Sequence, residues 1–410
     1  QSPSLTTFAL MDPKHIAIAD YHYDLPNDRI ATQALEPRHA AKMFTRVQGH
    51  TQHLHVADLP EVIRSIGPCH LVLNDAKVVK ARMFFLPPSG MGSKIEVFYL
   101  EPADQSIELA MQATKQLKAW VKAKPAKKWK PDSTLHMGDQ NQLRVKRLAT
   151  VDDRILADFT WESALSWAEL LADIGAVPLP PYFNRSANKV DEDRYQTVFA
   201  TVEGSVAAPT AGLHFSEELI DQLTGVQLHR LTLHVGAGTF MPVSSLTMDG
   251  HPMHAETFVM PIDSLLDLTD GRPIIAVGTT AARTLESMYW MGVDLMQTGQ
   301  VSWDLKQWRP YQQSGPAPAM KDSFQAIVHW AKKQQISHLS GRTALIIAPP
   351  YVFQTLSYLM TNFHQPQSTL LLLVAAAIGP QWASVYQEAL QQGYRFLSYG
   401  DSQFLEVNRP

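Results

Sequence analysis

A single cysteine, Cys69, stands in 410 residues. That excludes a disulfide framework and a thiolate metal cage, and fits a reducing compartment. Long apolar runs are also missing: the longest, Leu370–Ile378, has nine residues, where a membrane-spanning helix needs about twenty. The opening residues carry neither the basic nor the apolar segment of a secretory signal, so a soluble, cytoplasmic protein is expected. Positive charge is not in excess. With 35 Lys and Arg against 39 Asp and Glu, the net charge is −4, and the chain as a whole is no generic nucleic-acid binder. Neither GxGxxG nor GxxxxGKS/T occurs, which removes the dinucleotide fingerprint and the P-loop. No internal repeat or low-complexity segment is present, and the length allows two or three domains.

One absence is local. Between Glu108 and Asp132 there is no acidic residue, while Lys115, Lys118, Lys122, Lys124, Lys127, Lys128 and Lys130 are interleaved with Trp120 and Trp129. Lysines beside aromatics suit a phosphate backbone with unstacked bases. They equally suit a solvated hairpin whose lysines guard an edge strand. The same region has period-two hydrophobicity, with strands expected at 81–86, 94–99, 116–122, 143–149 and 155–160, and turns at 87–90 and 138–141. Such a run of short strands without a long helix predicts a small barrel or sandwich. Mixed helix and strand patterns flank it: a helix start at 38–44, strands at 71–73, 274–277 and 344–347, and helices at 163–174, 281–288, 323–333 and 370–378. The expected fold is therefore a mixed α/β main domain, 1–77 plus 162–410, with an all-β barrel domain, 78–161, inserted into it. The polar stretch 303–339 reads as a surface excursion.

Small residues and histidines concentrate at 193–240. GSVAAPTAGLHF runs into a helix start in which Ser216 is the N-cap and Glu217 and Glu218 fill the first turn, with Leu219 where a capping box would need Glu or Gln. Thr210–His214 is then a tight loop before a helix N-terminus, where free N–H groups and the dipole favour an anion. A strand at 231–235 leads to Gly236-Ala237-Gly238, which permits a sharp turn or close approach to a ligand. A second strand–turn–helix passage, Ile274 to Met288 through Gly278-Thr279-Thr280, has the same character. Satisfied core histidines and a helix end neutralised by its own glutamates remain the plainer alternatives.

Ten segments, in order and spanning nearly the whole chain, resemble one family closely. They are DLPNDRIA, LVLNDAKVVKARMF, PLPPYFNR, DRYQTVFA, GSVAAPTAGLHF, LTLHVGAGTF, MHAE, AVGTTAARTLES, TNFHQPQSTLLLLV and YRFLSYGD. The family is that of the S-adenosylmethionine:tRNA ribosyltransferase-isomerases of queuosine synthesis. The resemblance implies a mixed α/β domain of unusual topology with an inserted barrel, acting as a monomer on tRNA at the anticodon wobble position. It implies transfer of the ribosyl part of S-adenosylmethionine to 7-aminomethyl-7-deazaguanine, with isomerisation to epoxyqueuosine and loss of adenine and methionine. S-adenosylmethionine is then a consumed substrate, and no permanently bound cofactor or metal is implied.

That chemistry needs a base near the carbon next to the sulfonium and an acid for the departing adenine, and histidine serves both near neutral pH. His214, His234, His254 and His364 lie in matching motifs, and Glu256 is positioned to orient a histidine or act as base. Arg283 is expected to pair with the methionine carboxylate. Gly278, Thr279 and Thr280 are expected to offer donors, Gly236 and Gly238 close approach, and Asp401 a contact to the substrate amine or sugar. Arg194, Gln196, Thr210, Gly212, Thr239 and Asn362 complete the implied substrate set, and Lys115, Lys118, Lys122, Lys127 and Lys128 the RNA set. The chain departs from the family pattern at Lys77, Lys80, Pro349-Pro350-Tyr351, Gln365 and Gln367, and in the length of 303–339. These changes keep open a divergent enzyme that uses S-adenosylmethionine with another acceptor. A metal hydrolase built on His214, His234, His254 and Glu256 is a further alternative, although the spacings match no compact metal motif.

Overall fold

The computed structural model describes residues 12–87, 91–137, 143–236, 238 and 242–408. A ten-stranded mixed sheet dominates it. Its strand order is Asp304–Leu305, His338–Thr343, Glu256–Pro261, Val226–Leu233, Cys69–Asn74, Ile274–Val277, Tyr358–Asn362, Ser402–Glu406, Lys42–Val47 and His50–His55. The four strands Val226–Leu233, Cys69–Asn74, Ile274–Val277 and Tyr358–Asn362 run parallel. Every residue of Cys69–Asn74 and of Ile274–Val277 is buried, as expected for strands covered on both faces. Alternate side chains serve opposite layers. Leu71, Leu73, Ile275 and Val277 pack with Leu59, Ile63 and Phe215, whereas Val72, Ile274 and Ala276 pack with Leu285, Leu372 and Tyr386.

The second layer contains the helices Thr279–Thr298, Met320–Lys333, Thr369–Ile378 and Trp382–Gln391. The run Thr369–Gln391 reaches the length and hydropathy of a membrane span, but 61% of its most apolar window is buried. Gly379, at φ +69, breaks it into two helices that pack in the core. The stretch 303–339 is not a surface excursion. Leu305, Phe324, Ile327, Val328 and Ala331 are buried in the main core, and Met320–Lys333 lies hard against Thr279–Thr298. There, a Cβ on Gly292 would sit 2.2 Å from Ser323 Oγ, and that hydroxyl donates to Tyr289 O at 2.6 Å.

Between residues 82 and 160 the described strands belong to one six-stranded antiparallel sheet, in the order Arg82–Phe85, Ile95–Pro102, Gln116–Lys124, Arg154–Thr160, Arg144–Val151, Thr134–His136. Leu86 N–H donates to His136 O at 2.8 Å and bridges the first strand to the last, so the sheet is nearly closed. Alternate residues fill its interior: Met83 and Phe85, Ile95 to Tyr99, Leu117 to Val121, and Ile155 to Phe159. The helix Trp167–Ile174 plugs the end, with Trp167 4.8 Å from Phe159 and 5.5 Å from Trp161 between ring centroids.

Several local expectations are corrected. Residues 38–44 are a 3-10 turn, Arg38–Ala40, followed by the strand Lys42–Val47; pairing of Met43 and Phe44 with Ser402 and Gln403 draws that segment into the sheet. Residues 344–347 lie beyond the strand His338–Thr343: Leu345, Ile346 and Ile347 are buried, and Ala344 N–H and Ile346 N–H donate to Leu305 O at 3.0 Å and Gln307 O at 3.3 Å. The short helix Ile107–Gln112 and the strand Thr134–His136 carry too few residues to show a period. The expected turns at 87–90 and 138–141 fall largely outside the described residues.

Candidate active site

The carboxyl ends of the four parallel strands carry Asn74-Asp75, His234-Val235-Gly236, Gly278-Thr279-Thr280 and Asn362-Phe363-His364. In open α/β sheets, ligands bind at this end. Asn74 locks three of its pieces together. Its Nδ2 donates to Leu233 O at 3.0 Å and to Thr280 Oγ1 at 3.3 Å, and its Oδ1 accepts from Leu233 N at 3.0 Å and Ala76 N at 3.1 Å. Asp75 accepts from Thr232 Oγ1 at 2.6 Å and Thr201 Oγ1 at 3.0 Å.

A cleft of about 450 Å³ opens where this end meets the six-stranded sheet, within the range of small-molecule sites. One wall carries His234, Gly236, Gly238, His254 and Glu256; the other carries Glu101, Lys122, Asp153 and Arg154. Glycine at 238 is dictated by close approach, since a Cβ there would lie 2.9 Å from His254 Cδ2. Glu256 is fixed from two sides: Gly236 N–H donates to its Oε1 at 3.0 Å, and Arg283 Nη1 meets its Oε2 at 2.5 Å, with both side chains 7% exposed. Arg283 Nε also donates to Leu345 O at 3.2 Å.

His234 is buried, and neither ring nitrogen has a hydrogen-bond partner among the described residues. Its Nε2 lies 3.8 Å from Glu108 Oε1, across the joint between the sheets. The Glu108 carboxyl is held down to about 2, chiefly by this histidine, against the cost of its partial burial. Of the other charged groups on the cleft, Lys122 pairs with Asp153 at 2.5 Å, and Arg154 pairs with Glu101 and covers the Trp120 ring at 5.0 Å. Arg342 is exposed on the cleft lining, without an ion pair among the described residues.

The sequence model of the family described as queuosine biosynthesis protein matches residues 18–405. The chain belongs to this family, that of the S-adenosylmethionine:tRNA ribosyltransferase-isomerases. It is 35% identical over 397 residues to the S-adenosylmethionine:tRNA ribosyltransferase-isomerase of Acidithiobacillus ferrooxidans, covering 94% of this chain and 97% of the relative. Identity to the protein of the same name from Nitratiruptor sp. is 33% over 403 residues, covering 97% and 100%. Among solved structures, an S-adenosylmethionine tRNA ribosyltransferase from Thermotoga maritima is similar over 94% of this chain and 99% of its own, at TM-score 0.44 and 24% identity.

In this ribosyltransferase-isomerase family member, the residues named from sequence divide into two groups. His234, His254, Glu256, Gly236 and Gly238 line the cleft, with Arg283 directly behind Glu256. His214 lies elsewhere, among Arg38, Arg194 and Arg395, with its Nε2 3.2 Å from Asn362 Nδ2; Thr210 Oγ1 donates to Asn362 Oδ1 at 3.2 Å. Burial and then the three arginines lower the His214 pKa to about 3, so it is neutral near neutral pH. Burial alone lowers His364 likewise to about 3; its Nε2 is 3.0 Å from Thr361 Oγ1, and its backbone N–H donates to the Tyr386 hydroxyl at 3.2 Å.

The remaining members of that second group are engaged by the protein itself. Arg194 pairs with Glu36 at 2.7 Å, and the Gln196 amide bonds the Val78 backbone at 2.9 and 2.8 Å. Gly212 makes room for Phe199, whose Cζ would be 2.7 Å from an added Cβ. Asp401 accepts from Lys42 N at 3.1 Å and Arg395 N at 2.8 Å. Gly278, at φ +91, donates its N–H to Met360 O at 2.7 Å and starts the helix whose first residues, Thr279 and Thr280, are buried below the strand ends. Thr239 lies outside the described residues. Among those described, no three His, Cys, Asp or Glu side chains are grouped to hold a metal ion, and His214 is not part of the cleft set.

Of the lysines, Lys118 and Lys127 are exposed without ion pairs among the described residues, Lys128 Nζ donates to Ser93 Oγ at 2.7 Å, and Lys115 Nζ donates to Glu162 O. The aromatic part of the RNA reading is corrected. Trp129 is fully buried in the barrel core, where no base can stack on it, and Trp120 faces Arg154. Sequence reasoning missed Glu108, Glu101, Asp153, Arg154 and Arg342, because the period of a strand tells which side chains share a face but not which other strand or sheet that face meets.

Proposed function

We propose that this chain transfers the ribosyl moiety of S-adenosylmethionine to 7-aminomethyl-7-deazaguanine at the wobble position of tRNA. The sugar isomerises to epoxyqueuosine, and adenine and methionine are released. Family membership across residues 18–405 supports the reaction class. The observation that carries the assignment to a site is the cleft between the two sheets, where His234, His254 and the clamped Glu256 face one space.

The sulfonium acidifies the neighbouring ribose carbon, and His234 or His254 takes that proton. The other histidine protonates the departing adenine, while Arg283 and Gly236 fix Glu256 as the group that orients them. Gly236 and Gly238 give the nucleoside its close approach. Arg283 is occupied by Glu256, so the methionine carboxylate goes to Arg342, the cation on the cleft lining that has no ion pair among the described residues. The six-stranded block 78–161 acts as an inserted barrel domain in a main domain formed by 1–77 and 162–410. Its exposed lysines, Lys118 and Lys127 foremost, meet the tRNA backbone. The protein works as a monomer in the cytoplasm.

The test is a single-turnover incubation with S-adenosylmethionine and precursor-bearing tRNA, followed by mass spectrometry of digested nucleosides and of free adenine. Epoxyqueuosine with stoichiometric adenine is expected. Adenine without modified tRNA would move the acceptor to another molecule, and neither product would refute the assignment.

A further inference from the structure

The cleft histidine His234 presents a problem that its own sheet does not solve. Its side chain is 3% exposed, yet both ring nitrogens lack hydrogen bonds among the described residues. A buried imidazole left in that state is costly unless a ligand or a moving group completes it. Its nearest acidic neighbour comes from the six-stranded block. Glu108 stands in the first turn of Ile107–Gln112, a helix whose N-cap Ser106 accepts from Leu109 N at 3.3 Å. The helix reaches His234 because residue 204 is glycine. At φ +132, a Cβ on Gly204 would strike Ile107 Cγ2 at 2.2 Å and come within 3.1 Å of His234 Cε1 and 3.2 Å of Nδ1. Glycine therefore allows the helix to seat and keeps a side chain off the Nδ1 edge of His234, beside the cleft that Gly204 and His234 both line.

We propose that Glu108 is a positioning residue for His234: its carboxylate accepts a hydrogen bond from Nε2–H and so fixes the lone pair on Nδ1 for the substrate. The inference rests on reading the cleft as the S-adenosylmethionine site. The resting separation of 3.8 Å needs closure by about 1 Å to become a hydrogen bond, as resting catalytic contacts commonly do. In the reaction, the proton of the carbon beside the sulfonium passes to Nδ1, and its electron pair stays on that carbon. The resulting imidazolium is then stabilised by Glu108 through Nε2–H. The low pKa of Glu108 fits an acceptor that stays ionised throughout.

Two variants, Glu108→Ala and Glu108→Gln, test this with two independent readouts. In single-turnover adenine release, Glu108→Ala is expected to lose about 10–100-fold in rate, the usual scale for a group orienting a functional histidine. The KM for S-adenosylmethionine should stay within about twofold, and added formate should restore part of the rate. A wild-type rate, or a loss carried by KM, would overturn the proposal. In 15N spectra of the resting protein, His234 should hold the Nε2–H tautomer in the wild type and a mixture in Glu108→Gln; identical tautomers would also overturn it. A tautomer change in a protein that never releases adenine would refute the functional reading while leaving the pair intact. Adenine release indifferent to Glu108→Ala would do the reverse.

Discussion

Arg342, rather than Arg283, should bind the methionine carboxylate that the sequence assigns to Arg283. Arg283 is buried against Glu256 at 2.5 Å, with both side chains 7% exposed. Removing one partner of such a pair leaves an uncompensated buried charge and costs about 3–5 kcal/mol. Arg283→Met keeps the bulk and removes the charge, so it is expected to lose about 3 kcal/mol in urea unfolding and to lower the rate of adenine release through a displaced Glu256. Arg342 lies on the exposed cleft lining without an ion pair among the described residues, so Arg342→Ala should leave the urea midpoint unchanged. It should instead lose a charge-assisted contact of about 2 kcal/mol to the methionine carboxylate, or about 30-fold in KM. A decarboxylated S-adenosylmethionine sharpens the assay. The wild type should discriminate against it by about the same ~30-fold factor, and Arg342→Ala should not discriminate at all. If Arg283→Met proved as stable as the wild type and lost the discrimination, while Arg342→Ala kept it, the reasoning would be refuted.

Gly204→Ala places a methyl 2.2 Å from Ile107 Cγ2 at φ +132; it should cost about 2–4 kcal/mol in stability and lower adenine release, and an unchanged melting curve would contradict the packing. His214 and His364, each lowered to about 3 against about 6.5 unfolded, bind protons more weakly folded than unfolded, so their contribution is complete above about pH 6.5 and is lost as pH falls toward 3. By pH 5 that amounts to about 2 kcal/mol per histidine, and urea unfolding of a His214→Gln, His364→Gln double variant should show a correspondingly flatter decline between pH 7.5 and 5 than the wild type. Lys118→Glu with Lys127→Glu should weaken tRNA binding across sequences and reduce the salt slope by about two, without changing adenine release at saturating tRNA; unaltered affinity would remove the barrel from the RNA interface.

The strands of the six-stranded sheet were legible because one of their faces is apolar and the other polar, so Ile95 to Tyr99 and Ile155 to Phe159 announce their period directly. The parallel strands announce themselves differently, as short continuous apolar runs such as Ile274–Val277. Residues 303–339 misled because Phe324, Ile327 and Val328 recur only once per helical turn in a polar background, and their burial depends on Gly292 admitting Ser323. At the site, His234, His254 and Glu256 stood out because histidines and small residues cluster in their motifs. Glu108 did not, since its place depends on how two sheets meet, nor did Arg342, which reaches the cleft through the pairing of its strand with Glu256–Pro261. Arg283 was recognised from its motif, but its pairing with Glu256 was not, because a sequence does not show that Glu256 lies within reach of its guanidinium.

The strand Ser402–Glu406 lies between Tyr358–Asn362, to which it is antiparallel, and Lys42–Val47, to which it is parallel. The hairpin formed by Lys42–Val47 and His50–His55 therefore joins the large sheet through a strand made much later in the chain; Gln48 N–H, for example, reaches Glu406 Oε2 across 358 residues. During synthesis the hairpin must wait with an unpaired edge until Ser402–Glu406 has been translated. Such long-range pairing is slow and leaves strand edges open to other chains. A chain interrupted just before Ser402 would thus present two open edges at once, on Tyr358–Asn362 and on Lys42–Val47, making it a candidate for aggregation rather than a slightly shortened protein.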